Sequence, residues 1–89
     1  MRYDGDVVRN SELPPLGGFA SLFARYVKRA ADEAGLSGSE IGRRLGRAQS
    51  YASLRLNGRK AWTLDELDAI ADMLGITPAE LVERARASE

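Results

Sequence analysis

The feature of this sequence that most constrains its fold is a series of short segments whose apolar residues recur every three or four positions. That spacing is typical of a helix with one apolar face. Glycines or an Asn-Gly pair separate the segments, and both suit the turns that follow helices. The pattern predicts five helices, at about 19–34, 38–45, 48–56, 64–74 and 78–86. It indicates no strand and no internal repeat, and so predicts an all-α fold.

Residues 1–18 lack this periodicity and end in Pro-Pro and Gly-Gly pairs. We predict an extended or flexible N-terminal arm at 1–18 and one domain at 19–89, because 89 residues have room for a single core. The chain has no cysteine and no histidine, which excludes a disulfide framework, a zinc finger and a Cys/His nucleophile pair. It also has no membrane-spanning apolar run and no signal pattern, so we expect a cytoplasmic protein.

The charge is unevenly distributed, although the formal net charge is zero. Residues 41–64 contain six basic side chains and no acid, whereas residues 65–89 contain seven acids and two arginines. A basic block of this kind indicates either a solvated face or a nucleic-acid surface. The second and third helices lie in this block, joined by a tight turn at Gly46. Since a helix of about eight residues is unstable alone, we interpret the second as a support for the third.

The central stretch carries a more specific pattern. It runs through Ala34-Gly35-Leu36-Ser37, Glu40-Ile41-Gly42-Arg43-Arg44-Leu45-Gly46, Gln49-Ser50-Tyr51-Ala52-Ser53, Leu56-Asn57-Gly58, Leu64, Leu67, Ile70-Ala71 and Leu74-Gly75-Ile76. This pattern resembles the lambda-repressor-like, Cro/C1-type (XRE) helix-turn-helix family over about residues 19–83. Residues 51–59 also resemble repressor-like proteins of actinobacterial phages and prophages. The resemblance implies a five-helix lambda-repressor-like domain that binds double-stranded DNA as a transcriptional regulator, most often a repressor that binds a palindromic operator as a homodimer.

The resemblance also implies that the third helix enters the major groove. Gln49 can form two hydrogen bonds to adenine, and Ser50 can bond a base or a phosphate. Tyr51 is expected to face solvent and contact DNA, or else to pack against the first helix. Leu54 is expected to face outward, toward a thymine methyl or a protein partner. The predicted base contacts are Gln49, Ser50, Ser53, Leu54 and Tyr51.

The predicted phosphate contacts are the cations around this helix and the asparagine that follows it: Arg43, Arg44, Arg47, Asn57, Arg59 and Lys60. Alternatively, Asn57 only forms a left-handed turn with Gly58. Two departures from the family pattern concern missing groups. Gly38 lacks a polar side chain that would bind phosphate, and Ala48 replaces the Ser or Thr that caps the third helix.

The third departure is Arg55, which stands at a usually apolar position and is expected to reach Asp65, Glu66 or a phosphate. Ser37 and Glu40 are predicted to form a capping box at the second helix, and Thr63 is predicted to cap the fourth. Trp62 is predicted to join the core, with a partner surface as the alternative.

The apolar residues of the fifth helix are candidates for a dimer surface unless they form the core; they are Leu81, Val82 and Ala85. The acids of the fourth helix are interpreted as a solvated face, two of them placed favourably for the helix dipole. The chain has no metal-ligand spacing, glycine-rich phosphate loop or nucleophile motif, so we expect no metal, no cofactor and no enzymatic activity. Two alternatives to a regulator are a helix-turn-helix fold that binds another protein, such as a host factor, and an antitoxin.

Overall fold

The computed structural model describes residues 17–89. This part of the chain forms five α-helices and no strand: α1 Gly18–Glu33, α2 Gly38–Leu45, α3 Gln49–Leu56, α4 Leu64–Leu74 and α5 Pro78–Ala87. The all-α prediction is confirmed, and the helices begin and end close to the predicted residues. Most of the predicted arm lies outside the described residues; Gly17 and Gly18 cap and begin α1. No helix within residues 17–89 is both long and apolar enough to cross a membrane.

Side-chain caps define three of the helix starts. Ser37, Thr63 and Thr77 each accept a hydrogen bond from the backbone N–H three residues further on. Such caps satisfy backbone donors that have no partner within the helix. At the other end, Gly46 and Gly75 close α2 and α4 with φ values of 70° and 75°. A residue with a Cβ adopts this backbone conformation only with strain, so these glycines stop the helices there.

The capping box predicted at α2 is only half present. Ser37 Oγ accepts from the Glu40 N–H at 3.1 Å, as expected. The Glu40 carboxylate, however, bonds Arg43 and Arg44 instead of returning to the Ser37 backbone. The reciprocal arrangement occurs at α4, where Thr63 and Glu66 bond each other's backbone N–H. Two arginines within reach of Glu40 therefore outcompete one backbone amide for its carboxylate.

The core consists of two neighbouring clusters. The first joins α1 to α4 and α5 through Phe23, Val27, Ile70, Ala71, Leu81 and Ala85. The second joins α1 to α2 and α3 through Ala31, Ile41 and Ala52. Leu56 and Trp62 pack against both clusters. The prediction that Trp62 joins the core is confirmed, and its side chain connects the α2–α3 unit to the rest of the domain.

Of the two alternatives for the apolar residues of α5, a dimer surface or the core, the structure shows the core for two of the three. Leu81 and Ala85 are fully buried in the first cluster, and Val82 is half-buried. Their partners include Phe23 and Val27 of α1, which lie far away in the sequence. The apolar pattern of α5 shows that one face must be covered, but this face is covered by the domain itself.

A close approach between α2 and the turn after it fixes the position of α3. Gly42 is buried, and a Cβ at this position would lie 2.9 Å from the Ala48 carbonyl oxygen and 3.0 Å from that of Arg47. The Arg47 N–H donates to the Gly42 carbonyl at 2.8 Å across the same turn. Only glycine leaves room for this approach, so Gly42 helps set the angle at which α3 leaves the turn.

Candidate nucleic-acid interface

The outward face of α3 forms one side of an open groove with the residues that follow the helix. The lining residues are Gln49, Ser50, Ser53, Leu54, Asn57 and Arg59. Gln49 and Ser50 are exposed in the first turn of α3, where the expected base contacts begin. The structure therefore brings together four of the predicted base contacts and two of the predicted phosphate contacts.

Leu54 lies within this polar groove and is half-buried. Ala52 faces the opposite way and is fully buried against Ala31 and Ile41. The predicted outward direction of Leu54 is thus confirmed. An apolar side chain in such a groove can contact the methyl group of a thymine.

Tyr51 lies apart from the α3 groove and is half-buried instead of fully exposed to solvent. Its hydroxyl donates a hydrogen bond to the Glu66 carboxylate, and its ring contacts two guanidinium groups. The Arg47 guanidinium is 4.8 Å from the ring centroid, and that of Arg55 is 3.6 Å from it. Tyr51 thus packs toward the start of α4, and its hydroxyl is already occupied. It is the predicted base contact that the structure separates from the others.

Arg55 and Glu66 form the least exposed ion pair within residues 17–89, with side chains 11% and 12% exposed. Arg55 Nε lies 3.4 Å from Glu66 Oε1, and another Arg55 nitrogen donates to the Tyr51 carbonyl at 3.1 Å. Of the three partners expected for Arg55, the structure shows Glu66. This ion pair and the Tyr51 hydrogen bond tie α3 to the start of α4 and restrict how α3 can move.

Glu66 and Tyr51 perturb each other's ionisation. Burial by itself raises the pKa of Glu66, but hydrogen bonds from the Thr63 amide and the Tyr51 hydroxyl, together with the Arg55 charge, outweigh it. The pKa of Glu66 therefore lies below its ordinary value of 4.5. The pKa of Tyr51 is raised above 10.0, mainly because its hydroxyl donates to the Glu66 carboxylate. At neutral pH, Glu66 is thus an anion that holds a neutral tyrosine.

Arg43 and Arg44 are exposed, as phosphate contacts must be, but both are engaged by Glu40. Arg43 Nη2 lies 2.6 Å from the Glu40 carboxylate, and Arg44 Nε lies 2.8 Å from it. Hydrogen bonds from these arginines lower the pKa of Glu40. The basic block counted from residue 41 begins immediately after this acid. Glu40 therefore offsets part of the positive charge on α2.

The other predicted phosphate contacts lie at the two ends of α3. Arg47 precedes the helix; Asn57, Arg59 and Lys60 follow it, and all four are exposed. The left-handed residue of the following turn is Gly58, with φ 74°, whereas Asn57 has φ −89°. Asn57 is thus not needed for the left-handed conformation, and its side chain lines the α3 groove. Exposed polar groups with cations at both ends suit a polyanion that also presents hydrogen-bonding edges.

The family comparison agrees with this geometry. A family model described as a helix-turn-helix domain matches residues 22–85. The chain belongs to the helix-turn-helix domain family. The match extends from α1 into α5 and includes the whole α2–α3 unit. Membership of the helix-turn-helix family indicates DNA binding and a part in transcription regulation. The comparison with curated proteins gave no match.

Three contacts that shape this surface were not predicted from the sequence: those of Glu40 with its two arginines, of Gly42 with the following turn, and of Glu66 with Tyr51. Glu40 lies three and four residues before its arginine partners, a spacing at which helical side chains meet, so this pairing had a local signal. Gly42 stands inside a helical pattern, where an isolated glycine indicates a packing reason. Glu66 bonds Tyr51 across fifteen residues of sequence, and no local pattern indicates that contact. Within residues 17–89, no three acidic side chains lie close enough together to hold a metal ion.

Proposed function

We propose that this helix-turn-helix protein is a sequence-specific transcriptional regulator that inserts α3 into the major groove of double-stranded DNA. The supporting observation is that Gln49 and Ser50, the first residues of α3, are exposed and line one groove with Leu54, Asn57 and Arg59. A helix whose first turn points outward in this way can bring hydrogen-bonding side chains to base edges. The proposed role is binding, without catalysis and without a cofactor.

Each side chain of the α3 groove has a distinct proposed role. Gln49 pairs with the N6 and N7 atoms of an adenine, and Ser50 bonds a base edge or a phosphate. Ser53 contacts the same groove one turn later, and Leu54 packs on a thymine methyl. Tyr51 is left out of this set, because its hydroxyl is bonded to Glu66. The proposed phosphate contacts around α3 are Arg47, Asn57, Arg59 and Lys60, with Arg43 and Arg44 contributing where phosphate displaces Glu40.

A Cro/C1-type repressor is the subtype that we propose, and the resemblance of residues 34–76 supports it. A single α3 covers only a few base pairs, so two copies on a palindromic operator are the natural arrangement. Leu81 and Ala85 are not available for that contact, because they are buried within one copy. The half-buried Val82 is the remaining candidate from the α5 set.

The function is tested by selecting bound duplexes from a random pool and then comparing two variants on the selected and the random duplexes. Gln49→Ala should lose about 1–3 kcal/mol on the selected duplex and little on the random one, because it removes base readout. Arg59→Ala should weaken binding to both duplexes equally, because a phosphate contact carries no sequence information. Equal losses on both duplexes for Gln49→Ala would contradict base reading by α3.

A protein-interaction module is the second candidate, and an exposed apolar residue favours it. Leu64, 83% exposed at the start of α4, is the one large hydrophobic side chain exposed within the described residues. A protein partner, including a toxin neutralised by this chain, would bury such a side chain. In that case the pool selection would return no preferred sequence, and Leu64→Ser rather than Gln49→Ala would weaken binding of the partner.

A further inference from the structure

A second basic surface lies on α1, outside the set of cations that the sequence pattern indicates. Ser21, Arg25 and Lys28 are spaced by four and three residues, so they lie along one face of α1. They line a groove of about 530 Å³ together with Leu56, Asn57 and Gly58 at the end of α3. Asn57 lines both this groove and the α3 groove. The two grooves are therefore adjacent, with Asn57 at their border.

The cations of this α1 groove are accessible and only weakly engaged by acids in the described part of the chain. Arg25 is exposed, and its guanidinium donates to Ser21 Oγ at 3.2 Å, which orients it along the groove. Lys28 lies 3.9 Å from Asp32, and the two side chains are 50% and 69% exposed. Such an exposed pair contributes little energy, so a phosphate can replace Asp32 at low cost.

The α1 groove combines the donor types that bind a phosphodiester. Arg25 offers a forked guanidinium and Lys28 a point charge, and both are common phosphate ligands. The Asn57 amide and the Ser21 hydroxyl add neutral donors, which are also frequent in contacts with the DNA backbone. Leu56 and Gly58 add no charge. The groove thus combines two cations with neutral donors, a set that suits the anionic backbone of DNA.

We propose that Arg25, Lys28 and Asn57 bind the phosphate backbone of DNA and extend the footprint of α3 beyond its C-terminal end. This inference rests on the proposed function. When α3 lies in the major groove, the DNA backbone beside that groove lies against Asn57. The α1 contacts raise the affinity for any sequence and fix the orientation of the domain, and they do not change which bases are preferred.

Another role for the same cations would be structural. Arg25 and Lys28 lie near the C-terminal end of α3, where the helix dipole favours positive charge. That role would affect folding stability and leave the salt dependence of DNA binding unchanged. The two explanations therefore differ in a measurable quantity.

The test measures affinity for a random-sequence duplex over a range of salt concentrations in Arg25→Gln, Lys28→Gln and a matched control. The control is Arg29→Gln, which removes the same charge from the same helix. Arg29 stacks on the Tyr26 ring at 5.4 Å and does not line the groove. Each groove variant should make the slope of log affinity against log salt shallower by about 0.9 per bound protomer. Arg29→Gln should leave the slope unchanged, and Arg25→Lys should retain it.

Two results would overturn the inference: unchanged slopes in both groove variants, or the same change in Arg29→Gln. Thermal unfolding of each variant shows whether it is folded, and a loss of stability without a change of slope would assign the cations to α3 instead. Failure of the proposed function would give a different experimental result. In that case the unmodified protein itself would not bind the duplex, whereas failure of the α1 inference alone leaves that binding intact.

Discussion

At the scale of single residues, two glycines of α2 differ in what surrounds them. A Cβ on Gly42 would press on backbone carbonyl oxygens at 2.9 and 3.0 Å, which cannot move without shifting the turn before α3. We expect Gly42→Ala to lower the free energy of unfolding by about 1–3 kcal/mol, the usual cost of overpacking. Urea denaturation measures this, and DNA affinity should fall as well because α3 is displaced.

Gly38 provides the matched control for that substitution. A Cβ here would lie 3.4 Å from Ser53 Oγ and 3.7 Å from a Leu56 methyl, which are ordinary contacts with side-chain atoms. Gly38→Ala should therefore leave stability unchanged or raise it by up to about 1 kcal/mol, since alanine is the better helix former. An equal loss in both variants would show that the close approach at Gly42 is not what matters.

Ionisation of Glu66 makes the free energy of unfolding depend on pH in the acid range. Its pKa is lower in the folded protein than the ordinary 4.5, so its ionised form favours the folded state. This contribution is fully present above pH 4.5 and is lost as the pH falls through the folded value. Urea denaturation at neutral pH and at about pH 3 should show a smaller acid-induced loss of stability in Glu66→Gln than in the unmodified protein. Glu40 is unchanged in both proteins, so the difference isolates Glu66.

At the scale of helices, α3 begins without a side-chain cap. Ala48 has the extended backbone of an N-cap, with φ −71° and ψ 160°, but no side-chain oxygen to accept from α3. Ala48→Ser should raise the free energy of unfolding by about 1 kcal/mol. Thr77→Ala makes the opposite change at α5, where Thr77 Oγ1 accepts from the Glu80 N–H at 3.1 Å, and should lower it by about 1 kcal/mol. Thermal unfolding of both variants checks the pair.

Because α5 contributes to the core, a charged substitution on its buried face is expected to affect folding before it affects dimer formation. Leu81→Lys places an ammonium at a fully buried position and should abolish cooperative folding, since burying an unpaired charge costs several kcal/mol. Val82→Lys, at a half-buried position, should retain the helical circular dichroism. Sedimentation of the folded Val82 variant with and without operator DNA then tests the proposed dimer contact. A folded Leu81→Lys protein would contradict the core assignment.

The helices could be predicted from the sequence because their signals are local. Apolar spacing, a threonine cap or a glycine stop acts within one or two turns, and Thr63, Gly46 and Gly75 behave as such patterns predict. The outward face of α3 followed from the same spacing. The partners of each face could not be predicted this way. Tyr51 bonds Glu66 on another helix, and Leu81 is covered by α1, because tertiary packing chooses among faces that look alike in sequence.

At the scale of the whole molecule, the distribution of charge differs from the one that counting along the chain indicates. Arg43 and Arg44 are paired with Glu40, which offsets part of their charge. Arg25 and Lys28 of α1, by contrast, lie beside the end of α3. The basic residues that are neighbours in the sequence are thus not the same residues as those that form the basic surface of the folded protein. The exposed cations around α3 come from two separate parts of the chain.

This distribution predicts the effect of removing an acid. Glu40→Gln should free Arg43 and Arg44, raise the affinity for random-sequence duplex and steepen the salt slope by up to about 1.8 per protomer. Glu33→Gln makes the same change of net charge on α1, where the exposed Glu33 lies in a different groove with Tyr26 and Arg84. It should change the slope little. Equal effects of the two variants would mean that net charge alone governs binding.

Trp62 is the chain's single tryptophan, and it packs against both clusters of the core. Its position makes intrinsic tryptophan fluorescence a probe of both clusters. Indole emission responds when either cluster opens, whereas circular dichroism follows the helices of both. If the α2–α3 unit and the α1–α4–α5 core melt as one, the two signals coincide at a single temperature. Ligands that tighten either half can then be detected without attaching a label.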